Sequence, residues 1–99
     1  MTILPGSIVE RAPNLAQRLF EERMLVITSR DSVLHRFNEV GTFIWQILDK
    51  PLAVREIFNR IQAHFAGYDE KESQKEIYVF LEGLKKKGLI SIQKDAGAL

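Results

Sequence analysis

The groups able to carry chemistry in this 99-residue chain are few and scattered. The two histidines, His35 and His64, lie in no HExxH, HxH or EF-hand spacing, so nothing in the pattern makes either a metal ligand. His35 reads as a partly exposed strand residue and His64 as a surface residue near a helix end. The serines lie in polar or turn contexts, without the GxSxG elbow that would activate one as a nucleophile. The glycines form neither GxGxxG nor GxxxxGK, so no loop is built to cradle phosphate. Glu21 and Glu22 read as solvated charges rather than an acid/base dyad. With no cysteine there is no disulfide framework and no thiolate metal site. These residues describe a non-enzyme with no resident cofactor.

Two groups suit binding instead. Lys85, Lys86 and Lys87 could meet phosphate or an acidic partner, although a solvated helix C-terminus is the plainer reading. Phe43 and Trp45 could be interface aromatics. Phe43 falls on an apolar helical stripe and is expected in the core. Trp45 lies off the stripe's centre, at the core edge or in a partner groove.

The elements that position these groups follow from periodicity. Residues 1–17 hold Pro5, Pro13, Gly6 and Asn14 and read as a weakly ordered arm, with a short extended piece allowed at 7–10. Residues 18–28 read as strand, with a turn near Glu21–Arg23 or a bend. The β-branched content of 24–28 suits a sheet centre. Residues 29–32 are turn-like, and 32–37 read as a strand forming a hairpin with 24–28. In that strand Val33, His35 and Phe37 share one face, and Leu34 and Arg36 the other. From Asn38, an expected N-cap, the period becomes helical: Val40, Phe43, Ile44, Ile47 and Leu48 form one stripe, ended at Asp49-Lys50-Pro51. A second helix is expected from about Val54 to Phe65, with Gly67 following it. A third runs from Asp69 or Glu70 to before Gly88, with Ile77, Phe80, Leu81 and Leu84 inward. Its acidic start and basic end both suit the helix dipole. Residues 89–93 read as a short strand, and 94–99 as a frayed tail.

Composition sets the outer bounds. The chain is 45% hydrophobic and 27% charged, ordinary for one globular domain and unlike a disordered one. Fourteen Lys+Arg against thirteen Asp+Glu leave +1, a weak field for a nucleic-acid binder. No apolar run approaches the roughly 20 residues of a membrane span, and residues 1–13 lack the pattern of a secretory signal. The expectation is a cytoplasmic protein.

At residues 34–61 the order of residues resembles the coenzyme PQQ synthesis protein D family. The matching positions are Leu34, Phe37-Asn38-Glu39, Gly41, Ile44-Trp45, Leu48-Asp49, Val54 and Glu56-Ile57, followed by Glu76, Phe80-Leu81, Leu84 and Lys87-Gly88-Leu89-Ile90. The likeness spans residues 18–93. Two positions depart from it. Ala53 stands where the family has a Thr that opens a capping box with Glu56, a loss of about 1 kcal/mol. Lys50 stands where the family has Gly.

The resemblance implies an α+β, winged-helix-like fold, with a three-stranded antiparallel sheet followed by three helices and a short C-terminal strand. It implies one peptide-recognition domain over residues 18–93. Such modules capture the leader of a ribosomally made precursor peptide as an added strand, against the third strand and third helix. They then present the precursor to a modifying enzyme, of radical SAM type in the PQQ pathway. The peptide-binding residues expected here are Val33, Leu34, His35, Arg36, Phe37, Ile77, Tyr78, Leu81 and Lys85. Arg36 and Lys85 would face leader carboxylates, and Tyr78, off the main stripe, would be an exposed anchor. An edge strand suits this role, because its unpaired N–H and C=O groups accept an extended chain. The same edge admits a monomer or a homodimer. A winged-helix DNA-binding protein is the alternative, against which Glu70, Glu72 and Glu76 interleave with Lys71 and Lys75 on the third helix. A small protein-docking domain is another.

Overall fold

The computed structural model describes residues 3–28, 32–65, 67 and 69–93. Their order is β1 (Ile8–Arg11), β2 (Leu15–Phe20), β3 (Arg23–Thr28), β4 (Leu34–Arg36), α1 (Glu39–Ile47), β5 (Leu52–Ala53), α2 (Val54–His64), α3 (Glu70–Lys86) and β6 (Ile90–Gln93). The fold is α+β and winged-helix-like, with the expected antiparallel sheet β2-β3-β4, three helices and a C-terminal strand. A second small sheet, β5-β1-β6, joins the two ends of the chain.

The hairpin of β2 and β3 turns on Glu21 and Glu22, both at positive φ (50° and 65°), between the paired Phe20 and Arg23. Two successive positive φ values match the right-handed twist of the strands, as in a type I′ turn. Asn38 caps α1 as expected, its side chain accepting from the Gly41 N–H at 2.8 Å. Asp69 caps α3 in the same way through the Glu72 N–H. At the far end of α3, the Gly88 N–H bonds Lys85 O and the Leu89 N–H bonds Leu84 O. With Gly88 at φ +79°, this is a Schellman ending that turns the chain into β6.

The weakly ordered reading of residues 1–17 gives way to strand at Ile8–Arg11 and from Leu15. Val9 is fully buried between β5 and β6, and its partners are distant in sequence. This segment also supplies what Ala53 lacks. No side chain caps α2, but the Val54 and Arg55 N–H groups donate to the carbonyls of Ser7 and Pro5 at 2.9 and 3.0 Å. Two of the orphan donors of the helix start are thereby satisfied from the N-terminal segment, distant in sequence. The expected tail, 94–99, and most of the expected turn, 29–31, lie outside the described residues.

Trp45 is fully buried, not at the core edge. A single helical stripe understates the burial of α1, because the β2-β3-β4 sheet covers a second side of the helix. Gln17 of β2 accepts from Trp45 Nε1 at 2.7 Å. Phe37 packs on the indole at 5.6 Å between centroids, and the Arg11 guanidinium lies 4.9 Å from its centre. Arg11 also donates to the Trp45 carbonyl. Burial lowers the pKa of Arg11 from its ordinary value, with Asp49 opposing. Phe43, expected in the core, is half-buried and stacks on the exposed His64 at 4.2 Å between centroids.

Candidate functional site

The sheet β2-β3-β4 ends at β4, which pairs only with β3 among the described strands. The register joins Leu25 to Arg36, Val26 to His35 and Ile27 to Leu34. The Phe37 N–H donates to Met24 O, and the Thr28 N–H to Val33 O. Antiparallel ladders alternate bonded and non-bonded pairs. By that alternation Val33, His35 and Phe37 bond toward β3, whereas the main-chain groups of Leu34 and Arg36 face the free edge. The strand thus offers two residues' worth of donors and acceptors to an incoming chain.

Helix α3 runs beside this edge. Between them lies a groove of about 510 Å³. Its strand wall is Leu34, His35, Arg36, Phe37 and Asn38; its helix wall is Val79, Phe80, Gly83, Leu84 and Lys87. Leu34 and Val79 are among the most exposed large apolar side chains described, at 56% and 67%. Phe37 and Phe80 pack edge-to-face at 5.5 Å between centroids and tie the two walls together. The lining carries Arg36 and Lys87 and no carboxylate. Its chemistry is that of an apolar slot with a cationic rim beside an open strand edge.

A smaller pocket of about 90 Å³ adjoins it, sharing Asn38 and Phe80 and reaching Ile77. Gly41 makes room there: a Cβ on it would lie 3.0 Å from the Phe80 ring.

Four of the residues expected from the sequence to bind peptide, Leu34, His35, Arg36 and Phe37, line the groove together. Ile77 lines the small pocket and is otherwise core. Leu81 is fully buried and lines neither. Val33 is 43% exposed but outside the lining, one residue before β4 begins. Lys85 is half-buried outside the lining. Tyr78 is not an exposed anchor: it is half-buried, and its ring packs edge-to-face on Phe58 at 5.3 Å between centroids. Burial raises its pKa from the ordinary 10.0.

Sequence reading missed Val79 and Gly83, and named Lys87 within a basic run and among the family-matching positions, not with the peptide-binding residues. The three sit four residues apart, and with Phe80 and Leu84 they make a second face of α3 beside the core stripe. The signal present in the sequence was Gly83, an isolated glycine inside a helical pattern.

Among the described residues no group of three or more His, Cys, Asp or Glu could hold a metal ion, and no helix is long and apolar enough to cross a membrane.

The family model described as Coenzyme PQQ synthesis protein D matches residues 23–90. Among solved structures, TbiB1 in complex with the TbiA(beta) leader peptide is similar at a TM-score of 0.76 and 18% identity, over 83% of this chain and 94% of that one. Lasso peptide synthetase B1 complexed with the leader peptide is similar at 0.67 and 12% identity, over 84% and 96%. At these identities the likeness is one of fold. No curated protein matches the chain.

Proposed function

This chain belongs to the coenzyme PQQ synthesis protein D family, and from that premise we propose that it is a non-catalytic module that captures the leader segment of a ribosomally made precursor peptide. The leader adds as a strand to the free edge of β4 and lies in the groove against α3. The observation that carries this reading is the pairing of that edge with an apolar, cation-rimmed groove of about 510 Å³. Main-chain bonds to Leu34 and Arg36 supply affinity, and alternate leader side chains enter the slot. Arg36 and Lys87 favour a leader bearing carboxylates near its apolar residues, each exposed pair adding little on its own. The structures of TbiB1 and of lasso peptide synthetase B1, both holding leader peptides, share the fold and support the reading. The module then presents the precursor to a modifying enzyme, which the family relationship suggests is of radical SAM type. It acts in the cytoplasm, where such precursors are made.

The test is a titration of 15N-labelled protein with leader peptides encoded beside this gene. Amide shifts confined to residues 34–38 and 79–87 are expected. An intact fold with no shift for any of those peptides would overturn the proposal.

A further inference from the structure

The β2-β3-β4 sheet has an outer face that shares only Leu34 and Arg36 with the leader groove. Its inner face, with Met24, Val26 and Thr28, is buried. Strand alternation and the register place three cross-strand rows on the outer face: Ala16–Ile27–Leu34, Arg18–Leu25–Arg36 and Phe20–Arg23. Phe20, Ile27 and Leu34 are 51%, 40% and 56% exposed. Arg18, Arg23 and Arg36 are exposed too, and among the described residues no carboxylate pairs with any of them. None of the eight positions in these rows is acidic. Glu21 and Glu22 sit beside the face, at the tip of the hairpin, and with Glu39 they line a cleft that also takes in Arg23.

We infer that this outer face is a docking surface for the modifying enzyme, through a patch of that enzyme in which carboxylates surround an apolar centre. The inference rests on the leader-binding reading above. Charge selects the occupant. A second copy placed back to back would set Arg18 and Arg23 against their own counterparts, with Arg36 given to the leader. Phosphates would satisfy the arginines but leave Phe20, Ile27 and Leu34 in water. An acidic and apolar protein surface satisfies both.

Position agrees with that occupant, and size sets a demand on it. β2 and β3, six residues each, and β4, three residues, span roughly 240 Å² at about 4.8 Å between strands and about 3.3 Å per residue. A stable interface takes about 800 Å² per partner. The partner must therefore extend past the sheet. A leader strand added at β4 continues the same sheet, with alternate side chains beside Leu34 and Arg36, so an enzyme seated on this face meets the precursor directly.

The test uses the full chain, the modifying enzyme encoded beside its gene, a leader peptide and a random duplex DNA. The double variant Arg18→Glu/Arg23→Glu lies on β2 and β3, away from the groove. Lys50→Glu, exposed between α1 and β5, is the control. Expected are a loss of at least tenfold in enzyme affinity for the double variant, wild-type affinity for the control, and leader affinity and Tm unchanged in both. Unchanged enzyme affinity in the double variant, or no enzyme binding by the wild type, overturns the docking surface while leaving leader capture standing. Loss of duplex binding without loss of enzyme binding overturns it in favour of nucleic acid. Absence of leader binding by the wild type is a separate failure, that of the underlying function.

Discussion

Gly83 separates stability from binding within one residue. It lies inside α3, where glycine is less favourable than alanine by about 0.8–1.0 kcal/mol. A Cβ placed on it meets nothing within 4 Å, so the gain from alanine is not offset by overlap. For a domain of this size about 1 kcal/mol moves Tm by roughly 4–8 °C. Gly83→Ala is therefore expected to melt about 4–8 °C higher than wild type, read by circular dichroism. The open space around that Cβ belongs to the groove wall. Gly83→Phe keeps part of the helical gain but puts a ring into the slot. Its leader affinity is expected to fall at least tenfold, a loss of about 1.4 kcal/mol, by fluorescence anisotropy with a labelled leader. A Tm for Gly83→Ala at or below wild type would refute the reasoning about space. Wild-type leader affinity in a folded Gly83→Phe variant would refute the assignment of the groove.

Proline at β4 tests its hydrogen-bond parity. Leu34→Pro removes an outward N–H, so leader affinity should fall while Tm barely moves. His35→Pro removes a bond to β3 and should lower stability by about 1 kcal/mol or more in a denaturant melt. Asn38→Ala removes the cap on α1 and should cost about 1 kcal/mol, within a range of about 0.5–2, in the same melt. Trp45 is the sole tryptophan and fully buried; its emission should be blue-shifted in the native state, and Trp45→Ala should cost about 3–5 kcal/mol. For Tyr78 the native pKa lies above the unfolded one, so the unfolded chain loses its proton first as pH rises. Its contribution is complete below about pH 10 and is lost above it, and the alkaline fall in Tm should be shallower in Tyr78→Phe.

Local patterns in the sequence carry their own physics wherever one element decides the outcome. The Asn38 cap, the helical stripes of α1 to α3, the turn near Glu21 and Glu22 and the end of α3 before Gly88 were legible because each depends on residues a few positions apart. The strand over residues 32–37 was legible from its period-two pattern, whereas its part in peptide binding came from the family resemblance, which put four of its residues in the groove. What the chain's order alone did not disclose is everything that needs two distant segments at once. The strand at Ile8–Arg11 exists because β5 and β6 flank it, and bare α2 is capped by carbonyls from Pro5 and Ser7. Trp45 is buried because the sheet lies over a second side of its helix, and Tyr78 because Phe58 comes to meet it. The helix wall of the groove is the clearest instance. Periodicity finds the side of α3 that enters the core, but only the packing of α3 beside β4 decides that Val79, Gly83 and Lys87 face a free strand edge rather than open water.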